Sequence, residues 1–144
     1  MSDKTVELND RHYRWPSQPI VVVTIDGGDP AYMDYGFSNG LIPNIERFKK
    51  EGLYTVVQGS MPSFTCPNNM SIVTGTKPIT HGISGNFYLD RTTNEPVVMT
   101  GPELLRADSI MSKFSQHGAK VASITSKDKL RKQLQKNMNL YMSI

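Results

Sequence analysis

Pro19-Ile20-Val21-Val22-Val23-Thr24-Ile25-Asp26-Gly27-Gly28 is an unbroken apolar, β-branched run that stops at an acid and two glycines. Such runs are typical of parallel strands, which helices cover on both faces. The run predicts a first strand over about Ile20 to Ile25. Asp26 then falls at its carboxyl end, where open α/β sheets place their ligands. The plainer reading is that Asp26 caps the next turn, with Asp29-Pro30 opening a helix.

A second stretch, Met61-Pro-Ser-Phe-Thr65-Cys66-Pro67-Asn-Asn-Met70-Ser-Ile-Val73-Thr-Gly75, carries the other candidate group. Pro67 suits a first helical position, because its missing N–H is one the helix would leave unpaired anyway. Met70 and Val73 fall on one face, and Gly75 can end the helix in a left-handed conformation. Thr65 therefore sits just before a helix start, where N–H groups and the dipole favour a negative oxygen. A threonine is a weak nucleophile until its pKa is lowered, and a bound metal does that best. Taken alone, this window favours Thr65 or Cys66 as a simple cap. A strand-end Asp together with a pre-helix Thr supplies two groups that a metal-activated hydroxyl needs.

Around these stretches strands and helices alternate. Asp29-Pro30 begins a short helix through Tyr35, ending near Gly36, and Asn39-Gly40 is a turn. Pro43 to Glu51 reads as a helix with Ile42, Ile45 and Phe48 inward, closed by Gly52. Leu53 to Val57 is a further strand. Phe87 to Leu89 and Val97 to Met99 flank a hairpin turn, and Asp108 is expected to cap a helix with Ile110, Met111 and Phe114 inward and Gly118 as its stop. Lys120 to Thr125 is another strand, and Ser126 turns back towards a helix. The pattern predicts an α/β fold: a central, mostly parallel sheet flanked by helices, with an inserted hairpin. Asp26, Thr65 and Lys127 would then converge on one sheet edge, within reach of Asn86 from its Gly-rich turn.

Asp26-Gly27, the Met61–Gly75 stretch and Thr80-His-Gly-Ile-Ser-Gly-Asn86 together resemble the alkaline phosphatase superfamily, and within it the phosphonoacetate hydrolases. The resemblance runs from about Ile20 to Leu134. It implies an alkaline-phosphatase-like fold with two zinc ions at the strand ends. It also implies a zinc-dependent hydrolase that cleaves the carbon–phosphorus bond of phosphonoacetate to acetate and phosphate, through a phospho-threonine intermediate. Under it Asp26 is a zinc ligand, Thr65 is the nucleophile and also touches zinc, and Asn86 binds the phosphoryl oxygens. Lys127 and Lys129 hold the substrate carboxylate. The implied partner is a small anionic phosphonate, and a homodimer stays open.

Two departures stand out. Cys66 occupies a position where the family is expected to have Asn. The Asp-x-x-x-His, Asp-His and late His ligands expected in the second half of such enzymes are also missing, since the histidines are His12, His81 and His117 and no pair has metal-ligand spacing. The expectation is therefore a polar leader over residues 1–18 and the amino-terminal part of a hydrolase domain over 19–144. Such a piece is expected to be incomplete at its C-terminus and inactive by itself. Two alternatives remain: a nucleotide pyrophosphatase/phosphodiesterase of the same superfamily, and a non-catalytic anion-binding piece. The first would want an aromatic slot for a base in place of paired lysines.

At 144 residues one domain is expected, and 20% charged residues is ordinary for a soluble protein. A single cysteine excludes an internal disulfide framework and fits a cytoplasmic setting. The first eighteen residues are polar, without the apolar centre of a signal peptide. The net charge of +3 is concentrated: Lys127–Lys136 holds five bases and one acid, against eleven bases and twelve acids elsewhere. Nucleic acid would want a wider basic stripe with interleaved aromatics, so the run reads as a solvated helix face apart from Lys127 and Lys129.

Overall fold

A computed structural model describes residues 4–138, so the ends of the expected leader and hydrolase segment, 1–3 and 139–144, lie outside the described residues. The described chain divides into two compact units, one of residues 4–19 with 59–138 and the other of Ile20–Gln58.

The first unit opens with a hairpin, β1 (Thr5–Leu8) against β2 (Arg11–Arg14), turned by Asn9 and Asp10 at φ 47° and 61°. Asn and Asp tolerate that left-handed region, which suits a two-residue turn. The expected polar leader thus contains an ordered hairpin, with Val6 and Leu8 buried.

Next come α3 (Thr65–Thr74) and α4 (Pro78–His81), then the antiparallel pair β3 (Phe87–Asp90) and β4 (Glu95–Val98), and finally α5 (Ile110–Gln116) and α6 (Asp128–Leu134). The core gathers Cys66 and Met70 of α3, Ile83, Met99, Leu105, and Leu130 and Leu134 of α6. Packing of α3 on α6 brings the Thr65 and Lys127 segments together.

The second unit holds α1 (Pro30–Ser38) and α2 (Pro43–Glu51). Asp29 caps α1, its Oδ1 accepting from the Ala31 N–H at 2.8 Å, and proline fills the first turn of each helix. The α1 helix runs past Gly36 to Ser38, and Gly36 lies against Ile42, where a side chain would collide. Phe48 is 62% exposed and not inward, whereas Lys49 Nζ sits 4.5 Å from the Phe37 ring centre and 4.7 Å from that of Tyr54.

The expected central parallel sheet is not shown among the described residues. Both sheets among the described residues are two-stranded and antiparallel. Residues 20–25, 53–57 and 120–125 belong to no strand or helix there, and Val21, Leu53 and Ile124 are 84%, 90% and 66% exposed. A β-branched run states a preference for pleated, covered surroundings, and becomes a strand only when a neighbour takes up its backbone groups.

Two helix starts also differ. The α3 helix begins at Thr65, so Pro67 is its third residue and Thr65 is inside the first turn. Ser109, not Asp108, caps α5: its Oγ accepts from the Ser112 N–H, and Ser112 Oγ from the Ser109 N–H, a reciprocal box. The buried face of α5 is Ser112 and Ser115; Ile110, Met111 and Phe114 are half-buried, with Phe114 stacked on Trp15 at 5.4 Å.

Candidate functional site

Thr65 is the first residue of α3, half-buried, after an extended Phe64 that supplies no side-chain cap. A ten-residue helix ended by Gly75 at φ 65° points its positive dipole end at this threonine. The approach to it is pinned from within α3. Asn68 Oδ1 accepts from the Ser60 N–H at 2.8 Å, Asn68 Nδ2 donates to the Phe64 carbonyl at 3.1 Å, and Asn69 Nδ2 donates to the Thr65 carbonyl at 2.9 Å.

Lys127 is the residue before α6, exposed and in extended backbone, and its Nζ donates to Thr65 Oγ1 at 3.0 Å. A positive donor on a hydroxyl oxygen favours the deprotonated form of that hydroxyl. Lys129 is half-buried in the first turn of α6. Asn86 is half-buried just before β3, its carbonyl accepting from the Met99 N–H at 2.8 Å.

Asp26 lies in the other unit, exposed, in a turn with Gly27 at φ 74°. Of the five candidates, Thr65 and Lys127 are brought into direct contact. Among the described residues no group of three or more His, Cys, Asp and Glu side chains could hold a metal ion. The described residues therefore do not make a zinc site by themselves. Cys66, next to Thr65, is buried in the core, so its side chain serves packing there.

His81, one of the three histidines without metal-ligand spacing, is fully buried. Its pKa is held below the usual 6.5, first by burial and then by the charge of Arg106, while a hydrogen bond with the Pro67 backbone works the other way. Asp108 is held low chiefly by its hydrogen bond with Lys113, at 3.0 Å. Neither was visible as a site in the sequence, because a single histidine or aspartate carries no spacing signal. No helix of the described residues is long and apolar enough to cross a membrane.

The type I phosphodiesterase / nucleotide pyrophosphatase family matches residues 20–133, and the chain belongs to that family. The chain is similar to an uncharacterised pyrophosphatase/phosphodiesterase of Schizosaccharomyces pombe, at 33% identity over 58% of this chain and 17% of the relative. It is similar also to ectonucleotide pyrophosphatase/phosphodiesterase family member 3 of Rattus norvegicus, at 33% over 59% of this chain and 10% of the relative. Among solved structures, phosphonoacetate hydrolase from Sinorhizobium meliloti 1021 in complex with phosphonoacetate matches at 43% identity and a TM-score of 0.90. That match covers 96% of this chain and 33% of the solved one. The same enzyme in complex with phosphonoformate matches at 44% and 0.90. The chain thus spans about a third of the solved relatives' length and under a fifth of that of these curated ones.

Proposed function

We propose that this member of the type I phosphodiesterase / nucleotide pyrophosphatase family contributes the nucleophile and the substrate-binding lysines of a phosphonoacetate hydrolase. The observation that carries the reading is the 3.0 Å bond from Lys127 Nζ to Thr65 Oγ1 at the start of α3. The 43–44% identity to the solved phosphonoacetate hydrolases supports the choice of substrate.

In the proposed reaction Thr65 loses its hydroxyl proton to water and its oxygen attacks phosphorus. The carbon–phosphorus bond breaks and its electron pair moves into the neighbouring carboxylate as an enolate, which takes a proton from water to give acetate. Water then cleaves the phospho-threonine, releasing phosphate and restoring the hydroxyl. The helix start and Lys127 stabilise charge on the attacking oxygen. An ammonium has three donors, so Lys127 can hold Thr65 and still join Lys129 on the substrate carboxylate, where negative charge develops. Asn86 would donate to the phosphoryl oxygens.

Zinc is the metal we propose, with Asp26 and Thr65 among its ligands. It would supply Lewis acidity at the phosphoryl group. The remaining ligands would have to come from outside the described residues, and turnover is proposed for a protein carrying this chain at the length of its solved relatives.

The test compares phosphonoacetate with a nucleotide diester. The 144-residue chain should bind phosphonoacetate more tightly in calorimetry, and the longer protein should release phosphate from it in a zinc-dependent way. Preferential hydrolysis of the diester would move the chain to the nucleotide pyrophosphatase reading. Tight binding without any turnover by the longer protein would leave an anion-binding domain.

A further inference from the structure

We infer that His81 is a positioning residue for Thr65, acting through a hydrogen-bond relay of Ser71 and Ser60. The inference rests on the reading of Thr65 as the nucleophile. His81 closes the four-residue helix α4 with its side chain fully buried. The Ile83 N–H donates to His81 Nδ1 at 3.1 Å. An amide N–H can only donate, so Nδ1 carries a lone pair and the ring proton is on Nε2.

The Nε2 proton therefore faces α3, where Ser71 Oγ at 3.0 Å and the Pro67 carbonyl are its two acceptors. Ser71 Oγ in turn shares a hydrogen bond with Ser60 Oγ, 2.8 Å away. Ser60 begins the segment that leads into Thr65, and its N–H is held by Asn68 Oδ1. One end of that segment is thus tied to α3 by Ser71 and Asn68, and the other by Asn68 at the Phe64 carbonyl.

Close approach is built in. A side chain at Gly59 would press on Asn68 Oδ1, and one at Gly82, beside His81, would strike the Leu104 carbonyl. The Arg106 guanidinium donates to the Ile79 carbonyl at 2.6 Å, clamping the turn that carries His81. The relay therefore runs from a clamped turn to the segment that sets where Thr65 sits.

The experiment uses the full chain labelled with 15N. Long-range 1H–15N spectra should show His81 as the Nε2–H tautomer. Ser71→Ala cuts the relay in its middle and leaves the histidine in place. His81→Asn keeps an acceptor for Ile83 and loses the donor to Ser71, whereas His81→Gln keeps a donor and loses the acceptor. Ser71→Ala and His81→Asn should shift the Ser60, Phe64 and Thr65 amide resonances, and His81→Gln should bring them back towards those of the unsubstituted chain. In the longer protein Ser71→Ala should lower kcat on phosphonoacetate by up to about 10²-fold at unchanged KM, the cost of a displaced reacting group.

A Nδ1–H tautomer overturns the inference, as does a folded Ser71→Ala chain with the Thr65 amide unmoved. Should both histidine variants unfold, Ser71→Ala decides alone. Unchanged phosphate release in Thr65→Ala would overturn the Thr65 reading on which this rests. That outcome is told apart because the amide shifts would still occur.

Discussion

Lys127 Nζ donates to Thr65 Oγ1 across 3.0 Å, joining residues 62 positions apart through the packing of α3 on α6. Substrate carboxylate was the partner expected for this lysine, and the Thr65 hydroxyl oxygen is the partner found. The two roles are compatible for a side chain with three donors.

Replacing Lys127 by Met keeps much of the stem and removes the donor. Loss of one preorganised donor at a developing oxyanion is expected to lower kcat by about 10²–10³-fold. Phosphate release from phosphonoacetate, by the protein carrying this chain at its relatives' length, is the measurement. Thr65→Ala should abolish release while Thr65→Ser retains part of it. Equal activity in Thr65→Ala and the unsubstituted protein would mean that Thr65 is not the nucleophile.

What was legible in the sequence is mostly local. Gly75 and Gly118 as helix stops, Asp29-Pro30 and Pro43 as helix starts, and the Phe87–Val98 hairpin all depend on residues within one turn of each other. The helix start at Thr65 was misplaced by two residues because proline is tolerated throughout the first turn, not only at its first position. The expected central sheet is not shown by the described residues, for a different reason. Val21 to Ile25 advertise covered surroundings, but the cover must come from elsewhere in space, and no local signal supplies it. His81 and its serines were illegible because the relay joins Ser60, Ser71 and His81, none of which carries a recognisable spacing.

Acid should weaken the fold through His81. Its folded pKa lies below the ordinary 6.5, so the unfolded chain takes up a proton first as pH falls. The stability it contributes is complete above about pH 6.5 and is lost as pH falls through that value towards the depressed folded pKa. Asp108, also held low, contributes in the same direction but only below the usual carboxylate value of 3.8. Urea midpoints across this range should therefore fall in two steps. In His81→Gln the upper step should vanish and the lower one remain.

Gly82 and Gly75 both have positive φ, at 88° and 65°, yet they should not respond alike to alanine. At Gly75 the nearest neighbour of an added Cβ is the Tyr13 hydroxyl at an ordinary 3.5 Å, so the cost is the left-handed backbone alone, about 1–2 kcal/mol. At Gly82 the same penalty is joined by collision with the Leu104 carbonyl, which is backbone and cannot rotate away. Gly82→Ala should destabilise clearly more than Gly75→Ala in equilibrium unfolding. Equal losses would mean that the turn after α4 relaxes freely.

Met70 and Val21 provide a direct check on where the apolar residues of this chain are buried. Met70 is fully buried among Cys66, Ile83 and the α6 leucines, while Val21 is 84% exposed within a run whose composition reads as core. Truncating a buried Met to Ala removes transfer free energy and leaves a cavity, together about 2–5 kcal/mol. Val21→Thr keeps the β-branch and changes only an exposed methyl to a hydroxyl, so the expected change is within about 0.5 kcal/mol. Urea unfolding of the two variants decides the matter. A Val21→Thr loss approaching that of Met70→Ala would mean that residues 20–25 are covered in solution, as their sequence implies, by a surface other than those described.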